Sequence, residues 1–337
     1  MWRQNKTGEE GTKDDLDLPI IDLMPLVSGA PGGLETVAAQ LGRAARETGF
    51  FYVKNHGVEQ ALIERVFSAA HALFAQPLDA KMALTKDFFR TNRGYVPMKG
   101  ENLDPAQPSD LKEAFNIGLD LAADDPKIRT GEPFRAVNQW PDLPGWKDAV
   151  LTYFNAVWAL GRLMHRAVAV DLGADPDFFE DKLDAPMATL RLLHYPPQPA
   201  GAEAGQIGAG THTDYGNITI LLPDAVGGLE VRRRDGVWLK APTIEGAFVC
   251  NIGDCLMRWT NDVYVSTPHR VVNSSGLERY SIAFFLDPNP DATVACLSTC
   301  LQPGESPKYA PVSGAEYLKS RLDASYEPVK ATAGGPG

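Results

Sequence analysis

Two histidines and one aspartate form the most chemically informative pattern in the sequence. His212 and Asp214 are two positions apart, and His269 follows much later in the chain. Two imidazoles and one carboxylate can occupy three positions on one face of an octahedral metal, which leaves the others for a chelating molecule and dioxygen. Because His269 is so distant in sequence, the fold must bring the three side chains together. The pattern therefore predicts a metal centre that exists only in the folded protein.

A second pair, Arg279 and Ser281, follows His269 and has the spacing of a strand. Residues two apart lie on the same face of a strand. A guanidinium beside a hydroxyl is a good receptor for a carboxylate. Together with the metal ligands, this pair predicts oxygen activation at ferrous iron with a 2-oxo acid as the reductant.

The elements that must position these residues change in character along the chain. The first half contains two short strands and three amphipathic helices, predicted at 19–23 and 50–57 and at 34–48, 58–77 and 140–173. Residues 80–145 are interrupted by Pro and Gly and give no clear assignment. From about residue 187, short alternating runs separated by turn residues predict an antiparallel barrel or sandwich. Its predicted strands are ATLRLLHYP, GNITILLPD, GGLEVRRRDGVWLKAP, AFVCNIGDCLMRW, HRVVNS and RYSIAFFLDPN.

Composition restricts the class of protein and its partners. The chain has 337 residues, of which 44% are hydrophobic, and this is ample for a sizeable core. A net charge of −11 and a pI near 5.1 argue against nucleic-acid and anionic-membrane partners. No segment approaches the roughly 20 apolar residues of a membrane span, and the polar N-terminus lacks the apolar region of a secretory signal. We therefore expect a cytoplasmic protein with reduced cysteines, which is a monomer or a weak homo-oligomer.

One domain is predicted between two flexible tails. The tails are residues 1–17 and 328–337, and the domain spans 18–327. Within it, 18–175 is helix-rich and 187–290 forms the β core that carries the metal site. The fold class is therefore mainly β with a helical N-terminal part (α+β).

The sequence resembles the iron(II)- and 2-oxoglutarate-dependent oxygenases of the isopenicillin N synthase-like family. The resemblance extends over nearly the whole chain and is strongest where the metal and carboxylate motifs occur in register. The segments that carry it are LPIIDL, AARETGFFYVKNHGV, DLKEAFNIG, NQWPDLPGW, LHYPP, HTDYGNITIL, GGLEV, NIGD, STPHRV and RYSIAFF. It implies a double-stranded β-helix (a jelly-roll, cupin-like core) buttressed by helices.

The resemblance also implies roles for individual residues. Ferrous iron would bind His212, Asp214 and His269, and 2-oxoglutarate would chelate the iron while its 5-carboxylate pairs with Arg279 and Ser281. Tyr195 matches the tyrosine of the family's Asn-x-Tyr element and would reach the co-substrate. Leu193 occupies the Asn position of that element, so the local hydrogen bonding departs from the family pattern. The other four histidines, at 56, 71, 165 and 194, are predicted to be structural.

The expected reaction is the oxidation of a C–H bond in a small organic molecule, with O2 consumed and succinate and CO2 released. Hydroxylation is the expected outcome, and desaturation, cyclisation and dealkylation are variants of the same chemistry. Ascorbate is a candidate auxiliary reductant. Aromatic side chains suit an apolar pocket for such a substrate, and four are proposed to line it: Tyr95, Phe115, Trp259 and Phe285.

Three other functions remain open from the sequence. The first is an iron-dependent oxidase of the same family that does not use 2-oxoglutarate and keeps the Arg279 and Ser281 pair for another carboxylate. The second is a non-catalytic β-barrel protein that binds a ligand or a metal. A zinc hydrolase is less favoured, because no general base accompanies the ligands. The identity of the substrate is also open.

Overall fold

The computed structural model describes residues 18–85, 91–104, 106–197 and 206–326. The tails predicted at 1–17 and 328–337 lie outside these ranges. The strands are β1 (Ile20–Asp22), β2 (Phe50–Lys54), β3 (Gly94–Val96), β4 (Glu113–Ile117), β5 (Thr189–Tyr195), β6 (Ala209–His212), β7 (Ile218–Pro223), β8 (Leu229–Arg232), β9 (Trp238–Lys240), β10 (Ala247–Ile252), β11 (His269–Val271), β12 (Arg279–Leu286), β13 (Thr293–Val294) and β14 (Val312–Ser313). The α-helices are α1 (Met24–Val27), α2 (Gly33–Glu47), α3 (Gln60–Phe74), α4 (Leu78–Met82), α5 (Pro126–Arg129), α6 (Trp146–Asp171), α7 (Asp254–Trp259) and α8 (Gly314–Tyr326). Two 3-10 turns span Glu180–Lys182 and Ser298–Cys300.

Two sheets form the centre of the molecule. The larger has eight strands in the order β1-β2-β10-β7-β12-β5-β4-β3, and the smaller has four in the order β6-β11-β8-β9. β1 runs parallel to β2, whereas the other pairs of these sheets are antiparallel. Apolar side chains of the two sheets pack together, for example Leu193 and Ala283 of the larger sheet with Val271 of the smaller. This sandwich agrees with the predicted jelly-roll core.

Helices cover the opposite face of the larger sheet. The long helix α6 buries a stripe of apolar side chains that includes Tyr153, Phe154 and Val157, and such a stripe is what drives a helix onto a sheet. Gly161 lies where α6 approaches the sheet, and a Cβ at this position would lie 2.6 Å from the Leu286 side chain. The helices therefore buttress the sheet from behind and leave its other face free to line a cavity.

Strand alternation decides which residues of β12 face that cavity. Arg279, Ser281 and Phe285 line it, whereas the alternate residues Ile282 and Phe284 are buried in the core against the helices. Because both faces of the strand are covered, its sequence is continuously apolar from Ile282 to Leu286. The spacing of Arg279 and Ser281 thus follows directly from the geometry of β12.

The fold differs from the prediction in several elements, since β6, β13, β14 and α8 were not predicted. The first half of the chain contributes the four strands β1–β4 to the larger sheet, including two from the segment that had no assignment. The segment predicted as one strand, AFVCNIGDCLMRW, instead divides at Gly253 into β10 and α7. Asp254 begins this helix and Trp259 ends it, so Trp259 does not lie on a strand.

The structure also bears on the other expectations drawn from composition. All four cysteines are free. Among the helices of the described residues, none combines the length and the apolar character that a membrane crossing requires.

Candidate active site

The three predicted metal ligands meet at the junction of the two sheets. His212 ends β6 and His269 begins β11, and these two residues are paired directly across the ladder. The Asp214 Oδ1 atom lies 3.7 Å from His212 Nε2 and 3.6 Å from His269 Nε2. A ligand atom from each of the three residues lies within 4.8 Å of the others. This spacing suits three ligands on one face of a transition metal.

Backbone contacts orient both imidazoles toward this point. His212 Nδ1 lies 2.8 Å from the Gly210 carbonyl oxygen, and His269 Nδ1 lies 3.2 Å from that of Thr267. A proton on each Nδ1 satisfies these bonds and leaves each Nε2 lone pair for a metal. Burial, and to a smaller extent the charge of the neighbouring His269, lowers the pKa of His212 to about 3. The His212 ring is therefore neutral at pH 7, which is the state that binds a metal.

The carboxylate of Asp214 is held from behind by two side chains. Its Oδ2 atom accepts hydrogen bonds from Thr219 Oγ1 at 2.6 Å and Asn251 Nδ2 at 2.8 Å, and Oδ1 remains directed to the imidazoles. Burial alone would raise the pKa of Asp214, but His269, His212 and these two hydrogen bonds outweigh it and lower the pKa. Asp214 is therefore ionised and oriented, as a metal ligand must be.

The guanidinium of Arg279 lies in the same cavity and is completely buried. Its Nε donates to the Gly227 carbonyl and its Nη1 to Ser281 Oγ at 3.2 Å, whereas its Nη2 has no hydrogen-bond partner in the part of the chain that the structure describes. The Tyr195 ring packs against the guanidinium, 4.6 Å from ring centre to Cζ. A buried cation with a free N–H and an adjacent hydroxyl is a receptor for a carboxylate.

The cavity of about 210 Å³ corrects most of the predicted substrate pocket. Phe285 lines it, but Tyr95, Phe115 and Trp259 do not. Tyr95 and Phe115 are paired across β3 and β4 and point to the helix side of the sheet, where both are buried in the main core. Trp259 is buried among the aromatic rings of Phe178 and Phe179. These three side chains stabilise the fold and do not face the cavity.

Several residues of the cavity wall were missed from the sequence. The polar ones include Arg93, Glu101, Lys112, Asn116, Arg191 and Asp287. Leu318 and Leu322 of α8 close one side of the cavity. The Arg321 guanidinium connects α8 to Asp254 at 2.6 Å. Asp254 also accepts a hydrogen bond from Thr213, which lies between His212 and Asp214 in the chain. Alternation along β12 was the one available signal, since it places Asp287 on the same side as Phe285.

The four remaining histidines lie outside the cavity wall. His56 stacks on Phe248, and His71 packs against Tyr280. His165 bonds through Nδ1 to the Gly161 carbonyl at 2.7 Å. His194 bonds to Glu113, which also accepts from Lys81 and Tyr95 in a buried network. All four therefore have structural contacts, in agreement with the prediction.

Asp287 provides a test of the electrostatics of this cavity. Burial, and to a smaller extent the negative charge of Asp214, raises the pKa of Asp287 to about 7. Between about pH 4 and 7 the folded chain therefore keeps a proton that the unfolded chain loses, so stability falls as the pH rises. We expect Asp287→Asn to remove a slope of at most about 1.4 kcal/mol per pH unit. Chemical unfolding of the metal-free wild type and variant at pH 5, 6 and 7 measures this slope, and an equal slope in both proteins would contradict the assignment.

Comparison with known proteins supports the geometry. Residues 18–143 match the family described as the non-haem dioxygenase in morphine synthesis N-terminal region, and residues 186–288 match the 2OG-Fe(II) oxygenase superfamily. A 2-oxoglutarate-Fe(II) type oxidoreductase of Emericella nidulans is 37% identical, over 91% of this chain and 90% of the relative. A 2-oxoglutarate-dependent dioxygenase of Monascus ruber is also 37% identical, over 83% of this chain and 87% of the relative.

Solved structures extend the similarity to the fold. Full-length Neurospora crassa T7H in complex with alpha-KG and thymine superposes with a TM-score of 0.82 at 33% identity, covering 94% of this chain and 99% of that one. The jelly-roll fold, the use of Fe(II), 2-oxoglutarate and O2, and the oxidoreductase activity predicted from the sequence are thereby confirmed. The chain belongs to the 2-oxoglutarate- and iron(II)-dependent oxygenases of the isopenicillin N synthase-like superfamily.

Proposed function

We propose that this dioxygenase hydroxylates a C–H bond of a small organic molecule at a centre made by His212, Asp214 and His269. The observation that carries the proposal is their shared geometry: two oriented Nε2 atoms lie 3.6–3.7 Å from one ionised carboxylate oxygen. Two imidazoles and one carboxylate are the donor set of non-haem ferrous oxygenases. The residues present therefore fit the metal that the family uses.

Arg279 and Ser281 are proposed to hold the 5-carboxylate of 2-oxoglutarate. The unpartnered Nη2 of Arg279 and the Ser281 hydroxyl lie on the same face of β12, within the cavity of the ligand triad. Tyr195 packs over the guanidinium and restricts its orientation. Leu193, at the family's Asn position, contributes an apolar contact instead of an amide. Co-substrate binding would therefore depend on the ion pair with Arg279.

The protein's own contribution is placement and the exclusion of water. When bound, ferrous iron and 2-oxoglutarate supply the oxidising power that converts a C–H bond and O2 to an alcohol, with succinate and CO2 as by-products. Thr219 and Asn251 fix the orientation of Asp214. Phe285, Leu318 and Leu322 surround the space beside the ligands with apolar surface, which directs a substrate C–H bond toward the metal and keeps water out.

We further infer that the protein is cytoplasmic and acts as a monomer or weak homo-oligomer without nucleic-acid or membrane partners. Its charge of −11 supports the absence of nucleic-acid and membrane partners, because it disfavours binding to polyanions and to anionic lipid surfaces. Sedimentation at micromolar concentration would test the oligomeric state.

The proposed function is tested by anaerobic titration of the Fe(II)-loaded protein with 2-oxoglutarate. We expect a weak visible charge-transfer band, followed by succinate formation when O2 is admitted. Oxygen uptake without succinate would instead favour an oxidase that does not use 2-oxoglutarate. Iron binding with no visible band would contradict the proposed site for 2-oxoglutarate.

A further inference from the structure

Most of the charges in the wall of the cavity neutralise one another. Lys112 forms an ion pair with Asp110 and lies 3.5 Å from Glu101, and Arg191 pairs with Glu101. Burial raises the pKa of Glu101, but the charges of Arg191 and Lys112 outweigh it and hold the pKa at about 2. These two cations and two carboxylates form a balanced cluster that requires no charge from a ligand.

Arg93 is different, because it is a buried cation without a counter-charge. Its side chain lines the cavity and the residue is 4% exposed. Nη1 donates to the Asn92 carbonyl at 2.9 Å and Nη2 to the Phe134 carbonyl at 3.5 Å, whereas Nε has no partner among the described residues. Within the part of the chain that the structure describes, no carboxylate lies in ion-pair distance of Arg93. An uncompensated buried charge is costly unless a ligand pairs with it.

The chain makes room for this guanidinium. Gly118 follows β4 at the place where the Arg93 side chain packs, and a Cβ at Gly118 would overlap the guanidinium. Burial, followed by the charge of Arg135, lowers the pKa of Arg93 to about 10. The group is therefore still a cation at neutral pH, and only a glycine at 118 permits its position.

An unpartnered acceptor lies near this cation. Asn116 is 1% exposed and lines the cavity. Its Nδ2 donates to Asn92 Oδ1 at 2.8 Å, and its Oδ1 has no partner within the described ranges. Because Asn116 pairs with Gly94 across the ladder, it is adjacent to the start of β3 and hence to Arg93. The pair offers a cation and a hydrogen-bond acceptor to the same ligand.

Arg93 shares its distinguishing features with Arg279. Both are buried, both line the same cavity, and each has one guanidinium nitrogen without a hydrogen-bond partner. By the proposed function, a carboxylate of 2-oxoglutarate pairs with Arg279. Asn116 is paired with Arg191 on the next strand, and Arg191 is paired with Ala283 on β12. Ala283 is two residues from Ser281 on the same strand. A second carboxylate receptor thus lines the same cavity, at the β3 edge of the sheet and three strands away from β12.

We propose that Arg93 and Asn116 bind the substrate, and that the substrate is a small carboxylic acid carrying an N–H or O–H group. The carboxylate pairs with Arg93, and the donor group bonds to Asn116 Oδ1. The apolar surface of Phe285 and Leu318 receives the hydrocarbon part. The cavity of about 210 Å³ also has to hold 2-oxoglutarate, so the substrate must be small. This inference rests on the proposed function, because it assigns the other carboxylate receptor to 2-oxoglutarate.

The experiment compares acids with their neutral amides on the wild-type Fe(II)–2-oxoglutarate complex. The probes are pyrrole-2-carboxylate, indole-2-carboxylate and 3-hydroxybenzoate, each paired with its carboxamide at saturating 2-oxoglutarate. Binding is followed anaerobically as a change in the visible charge-transfer band. We expect at least one acid to bind about 10-fold or more tightly than its amide, the lower limit for a hydrogen bond to a charged group.

Two variants of Arg93 and one control assign that preference to the guanidinium. Arg93→Met is expected to lose the preference for the acid, and Arg93→Lys, which keeps the charge but not the planar fork, to retain part of it. Arg129→Met changes an exposed arginine outside the cavity and is expected to retain it fully. Circular dichroism verifies that each variant is folded.

The possible outcomes separate this inference from the proposed function. If the wild-type protein with Fe(II) and 2-oxoglutarate shows no charge-transfer band before any probe is added, the proposed function is overturned. Three outcomes with a normal band would overturn only the assignment of Arg93. They are no response to any acid, equal binding of acids and amides, and a preference for the acid that survives in Arg93→Met.

Discussion

Replacing Asp214 with alanine is expected to abolish turnover and to weaken Fe(II) binding by more than about 100-fold. Removal of a group that only orients a metal ligand costs about 10- to 100-fold in metal affinity or activity, so loss of the ligand itself should exceed that range. The fold is expected to persist, because the change removes a buried carboxylate and leaves only the Thr219 and Asn251 side chains without their acceptor. Anaerobic equilibrium dialysis measures iron binding, and thermal unfolding measures the fold.

Two further variants make this test specific. Thr219→Val removes one hydrogen bond to Asp214 with little change in shape, and we expect a loss within the range of about 10- to 100-fold. Asp124→Ala removes an exposed carboxylate far from the cavity and should bind iron normally. Full turnover by Asp214→Ala would show that the metal is held elsewhere. Equal effects of Asp214→Ala and Asp124→Ala would point to a general loss of charge.

The candidate metal and carboxylate sites could be predicted from the sequence because most of their residues lie close together in the chain. His212 ends β6 and Asp214 follows two residues later, whereas Arg279 and Ser281 lie on β12, where a spacing of two residues fixes a common face. The contribution of the fold was only to bring His269 opposite His212, which the pairing of β11 with β6 does. A strand period, two short motifs and one distant histidine were enough for the prediction.

The substrate pocket could not be predicted in the same way, because it depends on register. Tyr95 and Phe115 are opposite partners on β3 and β4, and a shift of either strand by one residue would turn its side chains into the cavity. Nothing in a single sequence records that register. The aromatic character that suggested these residues for a pocket suits a hydrophobic core equally well.

Two other errors have local causes. Trp259 follows an apolar run that reads as strand, but Gly253 ends β10 and Asp254 begins a helix with its carboxylate in the first turn. Four polar residues of the cavity wall, Arg93, Glu101, Lys112 and Asn116, come from a segment interrupted by Pro and Gly, where periodicity gives no signal. Arg93 and Asn116 therefore become visible only when burial and hydrogen-bond partners are known.

Replacing Arg279 with alanine is expected to raise the Michaelis constant for 2-oxoglutarate by about 10- to 150-fold. A hydrogen bond to a charged group contributes about 1.5–3 kcal/mol, and the variant would leave the 5-carboxylate buried opposite Ser281 alone. The charge-transfer band at subsaturating 2-oxoglutarate should weaken in parallel, because the same contact governs both measurements. Steady-state succinate formation at varied 2-oxoglutarate measures the constant.

The matched control for Arg279 is Arg270 on the neighbouring sheet. Arg270 pairs with Glu230 and packs over the Trp238 ring, outside the cavity wall. Arg270→Ala removes an equal charge and should leave the Michaelis constant for 2-oxoglutarate within about twofold, since a partly exposed ion pair contributes at most about 1 kcal/mol, and to stability only. An unchanged constant in Arg279→Ala would place the 2-oxo acid elsewhere. A rise in both variants would indicate that long-range charge, and not the buried guanidinium, attracts the co-substrate.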